Sequence, residues 1–169
     1  QVEIASGKER PRNDIGNQMA ESNQRILVVD DEAPIRRYLR AALSAQGFTI
    51  YEAASGREAL NAVIADRPDI IILDLGLPDI DGIEVTRQLR EWSQTPIIIL
   101  SVRAAEQDKI AALDAGADDY LTKPFSTGEL MARMRVVMRR QASKPDEPFL
   151  QVDELRMDLS SRVVTVRGD

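Results

Sequence analysis

From Arg25 onward, two patterns take turns along the chain. Short apolar runs alternate with segments of helical period: Ile26-Leu27-Val28-Val29, Phe48-Thr49-Ile50-Tyr51, Ile70-Ile71-Ile72-Leu73, Ile97-Ile98-Ile99-Leu100 and Tyr120-Leu121. Three of the runs are apolar throughout and rich in β-branched residues, as parallel strands are when helices cover both faces of their sheet. The intervening segments carry helix punctuation. Pro34 stands at a first helical position, and Gly47 closes that helix. Ser55-Gly56-Arg57-Glu58 has the form of a capping box ahead of Ala59, Leu60, Val63 and Ile64, with Pro68 past the end. Asp81 and Glu84 frame a third helix carrying Val85 and Leu89. Ile110 and Leu113 define a fourth, ended by Gly116. Ser126 and Glu129 open the fifth, whose apolar side is Leu130, Met134, Val137 and Met138. Five strands alternating with five helices predict an α/β fold, a (βα)5 doubly wound parallel five-stranded sheet over residues 25–141.

The flanks read differently. Residues 1–24 are polar, aperiodic and broken by Gly7, Pro11 and Gly16, which predicts a disordered extension. Residues 142–147 have linker composition, with Pro145 stopping any continuation of the last helix. Residues 148–169 alternate apolar and polar positions on either side of Ser160-Ser161-Arg162, predicting two or three antiparallel strands. About twenty residues cannot build a core of their own, so these strands read as the front of a second domain.

Composition narrows the chemistry. The 169 residues contain neither Cys nor His, which excludes disulfides, thiolate metal sites, cysteine nucleophiles and the usual general base. Twenty-two basic against 28 acidic residues give a net charge of −6, the wrong sign for a generic nucleic-acid surface. The longest apolar runs are four residues, such as Ile97–Leu100, so no segment of this type spans a membrane. Carboxylates, hydroxyls and lysines remain.

Ligands of open α/β sheets bind beyond the carboxyl ends of the strands, where strand order reverses. Asp30, Asp31 and Glu32 follow the first run, Asp74 the third, Ser101 the fourth, and Lys123-Pro124 the fifth. Singly, each has an ordinary explanation: an aspartate at a strand end caps the next helix, and a serine or lysine there is a solvated loop residue. Together they would converge on one edge. Clustered carboxylates repel and raise one another's pKa, so such a cluster calls for a cation. With oxygen ligands alone the fitting ion is hard, Mg2+ or Mn2+ as a substitute. That set suits phosphoryl transfer, where positioning and charge neutralisation carry the rate. Asp74 is the candidate nucleophile, Asp30 and Asp31 hold the metal, Lys123 meets the phosphoryl group and Ser101 donates a hydrogen bond.

These residues resemble the receiver domain of two-component response regulators. The match lies in Asp30-Asp31, in Asp74 within Asp74-Leu75-Gly76-Leu77-Pro78-Asp79-Ile80-Asp81-Gly82, in Ser101, and in Gly116-Ala117-Asp118-Asp119-Tyr120-Leu121-Thr122-Lys123-Pro124-Phe125. It covers residues 25–140, and residues 148–169 are similar to the opening strands of the winged-helix effector domain of the OmpR/PhoB subfamily. The resemblance implies that Asp74 is the phospho-acceptor, Asp31 a direct Mg2+ ligand, Asp30 a ligand through water and the Gly76 carbonyl a further ligand. Lys123 would contact the phosphoryl group ahead of a cis Lys123–Pro124 bond. Ser101 and Tyr120 would form a switch pair, the ring turning inward as the hydroxyl moves to the phosphoryl group.

The resemblance further implies a sensor histidine kinase as donor, a cytoplasmic setting and a homodimer through the fourth helix, fifth strand and fifth helix. Lys109 with Glu129, Asp119 with Arg133, and Asp114 with Arg135 would pair across that dimer. DNA would be bound only by the full-length protein. Phosphorylation and slow hydrolysis at Asp74 would be self-modification rather than enzymatic turnover. Gly76 has no side chain to shield the phosphoryl group from water. A Mg2+-dependent aspartyl phosphatase of the haloacid-dehalogenase type would place a second Asp two residues after its nucleophile, where this chain has Gly76. A nucleotide-binding module would need a glycine-rich phosphate loop that is absent from the sequence. A degenerate receiver acting only as an interaction domain would not keep the full set of acidic, hydroxyl and lysine residues.

Overall fold

The computed structural model describes residues 23–142 throughout and, beyond them, the backbone of three short strands. Five βα units follow one another: β1 (Arg25–Val29), α1 (Ala33–Ser44), β2 (Thr49–Ala53), α2 (Gly56–Asp66), β3 (Ile70–Leu73), α3 (Gly82–Arg90), β4 (Ile97–Ser101), α4 (Glu106–Asp114), β5 (Asp119–Thr122) and α5 (Thr127–Ala142). The strands form one parallel sheet in the order β2-β1-β3-β4-β5. This is the doubly wound (βα)5 sheet expected. Its order reverses between β1 and β3, and that reversal opens a crevice at their carboxyl ends.

The continuous apolar runs are explained by what lies on either side. Alternate residues of a strand face opposite ways. Leu27, Val29, Ile71, Leu73, Ile97 and Ile99 form one core with Ala59 and Val63 of α2 and Val85 and Leu89 of α3. Ile26, Val28, Ile70, Ile72, Ile98 and Leu100 form the other with Leu39 and Leu43 of α1 and Leu130, Met134, Val137 and Met138 of α5. A strand buried on both sides has no place for a polar residue until it ends. The first polar groups therefore appear together, at the carboxyl edge.

The caps follow the sequence closely, with one shift. Ser55 Oγ accepts the Glu58 N–H at 3.2 Å, but Glu58 Oε2 accepts from Ala54 (2.7 Å), one residue earlier than a reciprocal box requires. Asp81 caps α3 through the Ile83 N–H at 2.9 Å, and Ser126 caps α5 through the Glu129 N–H at 3.1 Å.

The fourth helix departs from expectation. Ile110 and Leu113, the apolar pair that marks this helix in the sequence, are 50% and 46% exposed, and the residue α4 buries is Ala112. The helix packs against α3 and β5 with Ala112 as its one fully buried side chain, and its larger aliphatics face out.

Past α5, β6 (Leu150–Val152), β7 (Leu155–Asp158) and β8 (Val163–Val166) pair antiparallel in the order β6-β7-β8. The proposed extension, apart from residues 23 and 24, and nearly all of the proposed linker lie outside the described residues.

Candidate functional site

Main-chain bonds between neighbouring strands fix where each candidate side chain begins. The Asp30 N–H donates to the Ala53 carbonyl (3.1 Å), the Asp74 N–H to Val29 (2.9 Å) and the Lys123 N–H to Ser101 (2.8 Å). Asp30, Asp74 and Lys123 thus each stand one residue past a buried strand, on one edge. Lys123 Nζ reaches Asp30 Oδ2 at 2.8 Å and Asp74 Oδ1 at 3.7 Å. Carboxylate oxygens of Asp30, Asp31 and Asp74 lie within 4.8 Å of one another. Asp30 and Asp74 are only 3% and 8% exposed, whereas Asp31 opens to solvent.

Burial raises the Asp74 carboxyl above its usual range, and the charge of Asp30 adds to the rise. Lys123 opposes it, as do the N–H groups of Gly76 and Leu75. One ammonium faces three carboxylates, leaving the pocket two charges short of neutral. An oxygen-only, doubly underneutralised pocket with one solvent-facing ligand fits a hard divalent ion.

The hydroxyl and the ring meet beside this pocket. Ser101 ends β4, is buried, and accepts the Arg103 N–H on Oγ at 3.1 Å. Tyr120 is buried against Ala112 and Ala117, and its hydroxyl donates to the Arg103 carbonyl at 2.5 Å. Burial pushes the phenol above its usual pKa. The ring is thus held by packing and by a satisfied hydroxyl. The Lys123–Pro124 bond is cis, as expected.

Comparison with known proteins decides the family. The response regulator receiver domain matches residues 26–135. The chain belongs to that family. Relatives of this receiver include the KDP operon transcriptional regulatory protein KdpE of Escherichia coli, 52% identical over 140 residues covering 82% of this chain and 62% of KdpE. Response regulator MprA of Mycolicibacterium vanbaalenii is 46% identical over 151 residues, 86% of this chain and 64% of MprA. The chain thus spans under two thirds of these relatives' length. The receiver domain of the Francisella response regulator 1452 superimposes with a TM-score of 0.67 at 37% identity, over 70% of this chain and 99% of that one.

On the side of the receiver formed by α4, β5 and α5, the charges are arranged within one chain. Arg133 bonds both oxygens of Asp119 at 3.1 and 3.0 Å and reaches Glu129 at 3.2 Å. Lys109, Asp114 and Arg135 make no ion pair among the described residues. No helix of these residues is long and apolar enough to cross a membrane.

Three residues around the site escaped the sequence reading. Arg36 Nη1 donates to the Asp30 carbonyl at 2.7 Å and steadies that loop from α1. Gly82 starts α3 so close to the end of β3 that a Cβ would lie 2.6 Å from the Asp74 carbonyl oxygen and 2.8 Å from Leu75 Cα. Arg103 pairs with Asp81 at 2.9 Å, joining the loop after β4 to the loop after β3. Only Gly82 had a signal in advance, its place in the Pro78–Gly82 stretch after Asp74.

Proposed function

We propose that this receiver takes a phosphoryl group onto Asp74 from a phosphohistidine of a sensor histidine kinase. The observation that carries the proposal is the buried Asp74 carboxyl beside Lys123 with Asp30 and Asp31 grouped around it. An Asp74 carboxylate oxygen attacks phosphorus. The phosphorus–nitrogen bond of the phosphoimidazolium breaks with its electrons going to the ring nitrogen, neutral histidine leaves, and an acyl phosphate remains. Lys123 balances charge on the phosphoryl oxygens, and the Ser101 hydroxyl donates to one of them. Asp31 and Asp74 directly, Asp30 through water and the Gly76 carbonyl would hold Mg2+ or Mn2+, which when bound supplies charge neutralisation and orientation to the transferring group. Water later cleaves the acyl phosphate and restores Asp74, so the chain modifies itself rather than turning over a substrate.

The new group brings about −1.5 to −2 charges and three acceptors to the β4 edge. The signal leaves through α4, β5 and α5 as a homodimer. Lys109–Glu129, Asp119–Arg133 and Asp114–Arg135 pair across it, each exposed pair worth roughly 0.2–1 kcal/mol. Arg133 gives up partners in its own chain to make such pairs, so the charges set register. Affinity comes from covering Ile110 and Leu113, which α4 leaves outward. In the full-length regulator β6–β8 begin a winged-helix domain that binds DNA, joined to the receiver (residues 25–141) by the 142–147 linker.

Intact mass after treatment with acetyl phosphate and Mg2+ tests the acceptor. The native chain is expected to gain one phosphoryl mass and Asp74→Asn none. Equal labelling of the two overturns the assignment.

A further inference from the structure

We propose that Arg103 is a positioning residue of this phosphoryl switch, its guanidinium clamped by Asp81 so that its main chain holds Ser101 and Tyr120 in the transmitting arrangement. This inference rests on the receiver reading and adds a residue to it. Its starting point is the 2.9 Å ion pair between Arg103 Nη2 and Asp81 Oδ2, which bridges two loops 22 residues apart in sequence. Asp81 is itself immobilised. Its other oxygen caps α3 at Ile83, and the next residue, Gly82, abuts the Asp74 backbone. The pair thus ties the β4–α4 loop to the strand bearing the acceptor.

Both main-chain groups of Arg103 serve the switch pair. Its carbonyl accepts the Tyr120 hydroxyl, which satisfies the ring's polar end inside the core. Its N–H occupies a lone pair of Ser101 Oγ and leaves the hydroxyl proton to donate. That proton has the Tyr120 oxygen beside it and, on the proposed function, would turn to a phosphoryl oxygen on Asp74. Without the clamp, the loop would lose its ion pair to the β3–α3 loop, and the carbonyl that accepts the ring would be less firmly placed. The pair is part-exposed on both sides, so it biases the ring position by up to about fivefold rather than locking it.

Fluorine NMR of the full chain labelled with 3-fluorotyrosine reads this directly, because there are three tyrosines and Tyr120→Phe assigns the one of interest. Without phosphodonor, Arg103→Ala and Asp81→Asn are both expected to move the Tyr120 resonance toward the exposed position. Asn keeps the cap on Ile83 while removing the charge, and Arg103→Lys is expected to restore most of the native shift. Acetyl phosphate labelling of Asp74 should slow about two- to fivefold in Arg103→Ala and Asp81→Asn. A Tyr120 resonance unmoved in both variants, or moved in Arg103→Ala alone, overturns the proposal. The ring is read before any phosphoryl group is present. A chain that never labels at Asp74 would strike the acceptor reading and leave the Arg103 result standing.

Discussion

The middle of the sheet and the α4 side are built to different standards. Around β1 and β3 every side chain from Ile70 to Leu73 is buried, α1 and α2 pack from opposite faces, and the polar groups at the edge are tied by strand bonds, Arg36, Lys123 and the Gly82 contact. Helix α4 has Ala112 as its one fully buried residue, with Ile110, Leu113 and the loop residue Val102 outward. Phosphoryl transfer depends on positioning to fractions of an ångström, whereas a switch must have two arrangements of nearly equal free energy. A thinly packed element is cheap to move, so on the proposed function a few new contacts at Asp74 would shift it.

The largest effect that would break this contrast is a pair of truncations. Leu39→Ala opens a cavity under α1 and is expected to cost about 2–5 kcal/mol in urea denaturation. Leu113→Ala removes the same atoms from the α4 surface and is expected to change stability by less than about 0.5 kcal/mol. It should nevertheless weaken dimerisation of the beryllofluoride-treated chain in sedimentation. Comparable losses of stability from both changes would show that α4 is as firmly packed as the centre.

A smaller difference sharpens the picture inside the rigid region. Gly82→Ala forces a Cβ onto the Asp74 backbone and is expected to cost about 1–3 kcal/mol while slowing labelling of Asp74. At Gly76 a Cβ would meet only Asp74 Oδ2, at an ordinary 3.7 Å, so Gly76→Ala should stay within about 0.5 kcal/mol of the native chain. Equal costs at the two glycines in the same denaturation experiment would mean that the α3 start is not what locates Asp74.

The same contrast governs what could be read from the residues alone. Ile70–Leu73 and Ile97–Leu100 declare themselves, because only a strand covered on both faces is apolar at every position. Once the strands are placed, Asp30, Asp74, Ser101 and Lys123 fall at their carboxyl ends without further information. Helix α4 misleads for a physical reason. Ile110 and Leu113 stand three residues apart, the spacing of a core stripe, and periodicity cannot tell a face that meets the sheet from one kept for another surface. Arg103 and Arg36 were illegible, and Gly82 showed only its place after Asp74, because each acts on a backbone or side-chain group that comes close only after folding. The inward position of Tyr120 likewise depends on an acceptor, the Arg103 carbonyl, that side-chain patterns do not describe.

The smallest effect concerns the energetic cost of the rigid site. Burial holds the Asp74 carboxyl above its ordinary value of 3.8, so the folded chain keeps that proton more tightly than the unfolded chain does. Both states are protonated well below 3.8, and there the burial costs nothing in charge. As pH rises past that value the unfolded chain ionises first, and the folded state loses stability until its own raised pKa is passed. At neutral pH the ionised Asp74 is therefore a net liability, with Asp30 beside it and one lysine between them. Asp74→Asn removes the charge and keeps the shape, so it is expected to stabilise the chain by about 0.5–2 kcal/mol at pH 7 in metal-free buffer. The gain should shrink as the pH falls toward 4. Thermal melts of the two proteins across that range check both sign and window, and a neutral-pH melting temperature that falls on substitution would mean that Lys123 more than offsets the cost of burying the acceptor.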